Sequence, residues 1–106
     1  MHYFITGHTG FKGAWLVLLL TEWGHTVSGL SLDPEPGSLF ERASLAERIT
    51  CDFRSDIRDA TATTAALQQA SPDIVIHMAA QPLVRESYRE PRLTIETNVN
   101  GTFNVL

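Results

Sequence analysis

The sequence has a single cysteine, Cys51, in 106 residues, which excludes an internal disulfide bond and a zinc site built from cysteines. It has 8 Lys and Arg residues against 12 Asp and Glu residues, and its formal charge of −4 offers no basic face for nucleic acid. The 4 histidines are scattered and indicate no metal site. Apolar runs are far too short for a membrane span, and no signal-peptide pattern precedes the first apolar segment. We therefore expect a reduced, cytoplasmic setting without a nucleic-acid or membrane partner.

A glycine-rich segment separates the apolar run 3–5 from a longer apolar stretch, and it reads Gly7-His8-Thr9-Gly10-Phe11-Lys12-Gly13. The spacing is Gly-x-x-Gly-x-x-Gly rather than the commonest dinucleotide fingerprint. Because Ala14 follows Gly13, the ending of a nucleoside triphosphate loop is also missing. Glycines between a strand and a helix let the backbone approach a pyrophosphate, whose charge the helix N-terminus attracts. The segment predicts a cofactor-binding loop, with an ordinary turn as the alternative, and its assigned residues are Gly7, Thr9, Gly10, Phe11, Lys12 and Gly13.

An acidic residue stands where such a site needs an acceptor for the adenosine ribose, about 20 residues after the loop. Asp33 follows the apolar run 27–32 directly. Its carboxylate can accept from both ribose hydroxyls and would repel a 2′-phosphate, so Asp33 predicts NAD rather than NADP. The alternative is that Asp33-Pro34 only begins a turn.

The pattern along the chain alternates between strands and helices. Strands are predicted at residues 2–6, 26–32, 50–54 and 74–78, and helices at residues 11–23, 38–49, 60–70 and 91–106. A largely polar stretch, residues 81–90, follows the fourth strand. The first helix is apolar nearly all round and should be deeply buried. In the last helix, Ile95, Val99 and Phe103 mark the predicted buried face.

This alternation predicts an α/β fold, a Rossmann-like doubly wound parallel sheet with helices on both sides. Ligands bind such sheets at the carboxyl ends of the strands, where the glycine-rich loop, Asp33, Asp56 and Ala79-Ala80 all lie. The fourth strand is apolar, as an interior strand would be, and lacks an edge strand's protecting charges apart from Asp73. We therefore expect residues 1–106 to be the N-terminal part of an NAD-binding domain, incomplete with its first four strands and helices.

Four segments resemble the extended short-chain dehydrogenase/reductase superfamily of sugar-nucleotide epimerases and dehydratases: residues 6–13, Asp56-Ile57, His77-Met78-Ala79-Ala80 and residues 97–102. The resemblance implies NAD as the cofactor, with Asp56 and Ile57 at its adenine. It also implies that Ala79 and Ala80 lie beside the nicotinamide ribose, with Gln81 next to them in the cofactor site. Homodimers formed through the fourth helix are a further implication.

Within that superfamily, residues 6–13, 79–85 and 87–91 are most similar to the CDP-glucose 4,6-dehydratases. Such enzymes bind a nucleotide sugar, oxidise its C4 by hydride transfer to NAD, lose water across C5 and C6, and return the hydride to C6. The family's Tyr-x-x-x-Lys pair is not found here, since Arg92 stands four residues after Tyr88. No catalytic residue is therefore assigned within the chain. An epimerase or reductase with the same cofactor half is one alternative, and a nonenzymatic dinucleotide-binding module is another.

Overall fold

Four parallel strands form one sheet in the order β3-β2-β1-β4. The structure is a computed structural model, and it describes the backbone of residues 1–80 and 84–106 and the side chains of residues 1–80 and 87–106. The strands are β1 (His2–Thr6), β2 (Thr26–Ser31), β3 (Cys51–Arg54) and β4 (Ile74–His77). Ile5 of β1 lies between Gly29 of β2 and Ile76 of β4, which places β1 inside the sheet. This topology confirms the predicted Rossmann-like sheet.

The helices between the strands connect them by crossovers, as parallel pairing requires, and three more helices follow β4 in the part of the chain that the structure describes. The helices are α1 (Phe11–Glu22), α2 (Leu39–Arg42), α3 (Ala60–Ala70), α4 (Val84–Arg89), α5 (Pro91–Ile95) and α6 (Gly101–Val105). A short 3₁₀ helix covers Leu45–Glu47, and a π-helical turn, Glu96–Asn100, joins α5 to α6. Within the described residues, every helix is too short or too polar to span a bilayer.

The sheet carries an apolar core on each face because successive side chains of a strand point to opposite sides. Ile5 of β1 packs with Val17 of α1 and Val27 of β2 in one cluster. Its neighbour Phe4 packs with Leu30 and with Ala66 of α3 in the other. Since both residues of β1 are fully buried, the central strand is covered on both faces.

The predicted second helix is wrong in its length. It breaks after Arg42 because Ser44 adopts a left-handed conformation, with φ of 52°, and only the 3₁₀ turn follows. The break lets Leu45 turn inward, where it is fully buried beside Phe40. The polar stretch also contains an unpredicted helix, α4.

Two expectations about buried helix faces are also wrong. Helix α1 buries Val17 and Leu20, but Trp15 on its other side is 51% exposed. In the last helical segment, Ile95, Val99 and Phe103 lie on the exposed side. The segment instead packs through Gly101, where a Cβ would approach Ile57 Cγ2 to 2.6 Å. Apolar periodicity identifies an apolar face of a helix, but it does not show whether that face packs against this sheet.

Candidate functional site

A cleft of about 870 Å³ lies at the carboxyl ends of the strands. That volume is in the range of a site for a cofactor-sized molecule. The cleft is lined by every predicted site residue that the structure describes: Gly7, Thr9, Gly10, Phe11, Lys12, Gly13, Asp33, Asp56, Ile57, Ala79 and Ala80. The remaining predicted residue, Gln81, lies outside the described residues. The sheet thus brings together segments that are far apart in sequence.

Two of the loop glycines are required by the protein's own packing. Gly7 has a φ of 78°, and a Cβ on it would come within 2.9 Å of the Ala79 backbone nitrogen. A Cβ on Gly13 would overlap the Gly7 carbonyl oxygen. These glycines therefore hold the loop tightly between β4 and the start of α1.

Gly10 differs because the protein leaves room beside it. Its backbone is extended, with φ of −75°, and an added Cβ would meet only the Gly7 carbonyl oxygen, at 3.4 Å. Neither conformation nor packing requires glycine here. The free space opens on the cleft, where a pyrophosphate would need close access to the backbone.

The N-terminus of α1 faces the same space. Its first intrahelical hydrogen bond is donated by Ala14 N–H to the Gly10 carbonyl, at 2.8 Å. The preceding amides of Phe11, Lys12 and Gly13 therefore have no acceptor within the helix. Gly10 supplies no capping side chain, and the first turn has no acidic residue. Unpaired amides at a helix N-terminus are a suitable site for the oxygens of a phosphate.

The side chains of the loop have different surroundings. The Thr9 hydroxyl is hydrogen-bonded to Ser31 Oγ at 2.7 Å and to the Leu32 carbonyl at 2.9 Å, and these bonds fix the loop to the end of β2. Phe11 and Lys12 are exposed at the cleft. Thr9 thus holds the loop, while Phe11 and Lys12 are free to contact a ligand.

Asp33 lies at the rim of the cleft with a side chain that is 86% exposed. Its Oδ1 accepts a hydrogen bond from Arg54 Nη1 at 3.2 Å. Arg54 is the last residue of β3 and was not predicted as a site residue. A signal was present in the sequence, because Arg54 ends a strand next to the strand that Asp33 follows.

The buried ring of His8 connects the loop to β3. His8 Nε2 lies 2.7 Å from Asp52 Oδ1, whereas its buried Nδ1 has no hydrogen-bond partner among the described residues. Burial lowers the pKa of His8 despite the neighbouring carboxylate. The ring is therefore neutral and donates from Nε2. Burial works to raise the pKa of Asp52, but hydrogen bonds from Arg54 and His8 hold it below its ordinary value.

Asp56 and Ile57 follow β3 and line the cleft. Asp56 is paired with Arg58, whose Nη2 donates to its Oδ2 at 2.6 Å, and this hydrogen bond lowers the pKa of the Asp56 carboxyl. The Ile57 carbonyl accepts from Asn104 Nδ2 at 3.0 Å. Since Asn104 belongs to α6, the last helix fixes the segment predicted to receive adenine.

A chain of hydrogen bonds fixes the backbone that leads to Ala79 and Ala80. The buried Thr6 Oγ1 lies 2.6 Å from His77 Nδ1, and it accepts from the Met78 and Ala79 amides at 2.9 and 3.1 Å. His77 Nε2 lies 2.8 Å from Thr102 Oγ1.

Thr102 itself donates to the Asn98 carbonyl at 2.6 Å. Because the Thr102 hydroxyl proton is used in this bond, Thr102 accepts from His77 Nε2–H. His77 Nδ1 then carries no proton and accepts from the Thr6 hydroxyl. Burial lowers the pKa of His77, which favours this neutral form. Its place in the chain of hydrogen bonds makes His77 a structural residue.

Several cleft residues were not predicted, and they fall into two groups. Leu30, Ser31, Leu32, Glu35, Ser55, Arg58 and Met78 lie within three residues of predicted positions, whereas Leu93 and Thr97 belong to the last helical segment. Strand-end position could have identified the first group. The second group required knowledge of how the last helices cross the sheet.

Comparisons with known proteins agree with this geometry. The sequence model of the family described as GDP-mannose 4,6 dehydratase matches residues 4–106. The chain belongs to this family. It is 50% identical over 104 residues to a CDP-glucose 4,6-dehydratase of Salmonella typhimurium, covering 97% of this chain and 29% of that protein. It is 36% identical over 103 residues to a dTDP-glucose 4,6-dehydratase of Xanthomonas campestris, covering 96% of this chain and 29% of that protein.

Solved structures share the fold. The UDP-glucose-4-epimerase of Stenotrophomonas maltophila, solved with bound NAD, matches with a TM-score of 0.83 and 28% identity, over 99% of this chain and 32% of that one. The resemblance to the extended short-chain dehydrogenase/reductase superfamily is thus confirmed, and with it a family of sugar-nucleotide dehydratases and epimerases. The chain spans 29% of the length of the curated dehydratases named above.

Proposed function

We propose that this chain is the NAD-binding portion of a nucleotide-sugar 4,6-dehydratase that converts CDP-glucose to CDP-4-keto-6-deoxyglucose. The observation that carries the proposal is the cleft, in which an open phosphate loop and Asp33 lie at neighbouring strand ends. The 50% identity to a CDP-glucose 4,6-dehydratase supports this substrate over the other nucleotide sugars. The acid–base residues and much of the sugar pocket would belong to the remainder of the complete protein.

The residues of the cleft fit NAD in four places. The open space at Gly10 and the free amides of α1 would hold the pyrophosphate, and Asp33 would accept from the adenosine ribose. Asp56 and Ile57 would bind adenine, Ala79 and Ala80 would allow the nicotinamide ribose to pass close, and Gln81 is proposed beside them. When bound, NAD supplies a hydride acceptor that returns the hydride within the same turnover.

Asp33 gives the first test, which concerns the cofactor alone. The full-length protein, freed of any copurified nucleotide, should bind NAD at least about tenfold more tightly than NADP, a difference of about 1.4 kcal/mol. Asp33→Ala should reduce this ratio because the carboxylate no longer opposes the 2′-phosphate. Isothermal titration calorimetry measures both dissociation constants. Equal affinities for the two nucleotides in the unaltered protein would contradict the proposal.

Substrate choice is tested separately. The full-length protein with NAD should turn over CDP-glucose with a higher kcat/KM than dTDP-glucose, UDP-glucose or GDP-mannose, measured by appearance of the 4-keto-6-deoxy product. Interconversion at C4 without loss of water would instead identify an epimerase. NAD binding without turnover of any nucleotide sugar would favour a nonenzymatic module.

A further inference from the structure

The guanidinium of Arg54 is held on several sides at once. Its Nε and Nη2 donate to the two oxygens of Asp52, at 2.8 and 2.7 Å, and its Nη1 donates to Asp33 Oδ1 at 3.2 Å. Its central carbon lies 5.4 Å from the centroid of the Phe40 ring. A bidentate contact of this kind fixes the plane of the guanidinium as well as its position.

The position of Asp52 is itself fixed by the phosphate loop. Asp52 and Arg54 point to the same face of the sheet because they are two residues apart on β3. Gly29, the neighbour of Asp52 on β2, has no Cβ, and a Cβ there would overlap the ring of His8. The ring therefore crosses β2 and donates to Asp52. Contacts thus run without interruption from the phosphate loop through Asp52 and Arg54 to Asp33.

The charges at this corner of the cleft sum to a negative value. Arg54 contributes one positive charge against the two carboxylates it contacts, Asp52 and Asp33, and the buried His8 is neutral. A depression of about 520 Å³ beside Arg54 carries two more carboxylates, those of Glu41 and Glu47. A cation at this place could bind a 2′-phosphate, but here its donors are already used by carboxylates.

We propose that Asp52 and Arg54 are specificity-determining residues for the nucleotide. Asp52 holds the Arg54 guanidinium in place, so that Arg54 orients Asp33 toward the ribose hydroxyls. Held in this way, Arg54 cannot bind a 2′-phosphate. The inference rests on the proposed function, namely that the cleft binds NAD. It differs from the role of Asp33 alone, because the selectivity depends on a residue that does not line the large cleft. Asp52 acts here as a positioning residue through Arg54.

The test is a double-mutant cycle on the full-length protein, with dissociation constants for NAD and NADP from calorimetry. Asp52→Asn keeps an acceptor for His8 but removes the charge that holds Arg54. We expect NADP to bind about tenfold more tightly to this variant while the affinity for NAD changes by less than about threefold. The double variant Asp52→Asn/Arg54→Gln should lose the gain in NADP affinity. Glu22→Gln removes a negative charge from an exposed side chain at the end of α1 and should alter neither the NAD nor the NADP dissociation constant.

Arg54→Gln alone gives a second measurement that does not depend on the folding of the Asp52 variant. NAD should bind this variant about fivefold more weakly because Asp33 loses its anchor, whereas Arg48→Gln, at an exposed pair with Glu22, should have no effect. Unchanged NADP affinity in Asp52→Asn, a gain that survives removal of Arg54, or unchanged NAD affinity in Arg54→Gln would overturn the inference. Failure of the unaltered protein to bind NAD would overturn the proposed function instead, so the two failures are distinguishable.

Discussion

At the scale of single residues, the glycines of the loop 7–13 show which positions folding requires and which position is left open for a ligand. A Cβ on Gly7 or Gly13 would clash with backbone atoms, whereas a Cβ on Gly10 would meet nothing closer than 3.4 Å. All three could be recognised in the sequence from their spacing. Their different roles could not, because they depend on how close β4 and α1 come to the loop.

A pair of glycine substitutions follows from this difference. Gly10→Val should weaken NAD binding by about a hundredfold or more, or about 2.7 kcal/mol, with little change in melting temperature, because the side chain fills only the ligand's space. Gly13→Ala should instead destabilise the fold by about 1–3 kcal/mol, because its methyl group meets the Gly7 carbonyl. Calorimetry and thermal unfolding on the same samples measure both effects. Unchanged NAD affinity in a folded Gly10→Val protein would contradict the proposed pyrophosphate site.

Two histidines whose pKa values are lowered, the buried His8 and the half-buried His77, predict a dependence of stability on pH. The pKa values of His8 and His77 are both lowered from 6.5 by burial. The unfolded chain therefore binds more protons than the folded protein below that pH, and stability is lost as the pH falls from about 7 toward 5. The lowered pKa values of Asp52 and Asp56 act below about pH 5, outside this window.

Urea unfolding of the full-length protein at several pH values measures this slope. His77→Gln should make the slope shallower because one proton fewer is taken up on unfolding. A free energy of unfolding that is constant between pH 7 and 5 would contradict the neutral assignment of both rings.

At the scale of elements, the sequence predicted the bounds of helices and strands where local residue chemistry sets them. The predictions failed where tertiary contacts set the bounds or the buried face. The bounds of β1 and α3 are as predicted, and both depend on local features: the apolar run 3–5 in β1 and, in the structure, the Asp59 side chain that caps α3. The prediction of the second helix failed at Ser44, because residue propensities do not indicate its left-handed backbone. That conformation allows Leu45 to be buried. The prediction that α1 is buried all round failed for a related reason. Trp15 is as apolar as the residues that contact the sheet, so the sequence does not distinguish the two faces.

Helix α3 offers a test of a locally encoded element. The Asp59 carboxylate accepts from Ala62 N–H at 3.0 Å and so caps the first turn. Asp59→Ala should cost about 1 kcal/mol of stability because that amide loses its acceptor. Asp59→Asn, which keeps the acceptor, should cost much less. Chemical denaturation distinguishes the two variants, and equal stability of Asp59→Ala and the unaltered protein would show that the cap contributes nothing.

At the scale of the whole molecule, the helical segment from Pro91 to Val105 has two different faces. One face holds the site, through Asn104 on the Ile57 carbonyl and Thr102 on His77. The other presents Ile95, Val99 and Phe103, spaced four residues apart. The chain therefore uses one helical segment both to position the cleft and to expose an apolar stripe.

We expect that stripe to form a homodimer in the full-length protein, because contiguous exposed apolar residues of this kind mark interaction surfaces. Phe103, which is 76% exposed, has the largest side chain of the three. Phe103→Glu should convert a dimer into a monomer, since the interface would have to bury an unpaired charge. Light scattering after size-exclusion chromatography should show the mass halved, whereas Gln68→Glu on the exposed side of α3 should leave it unchanged. A dimer that persists in Phe103→Glu would place the interface elsewhere, and a monomeric unaltered protein would exclude the homodimer altogether.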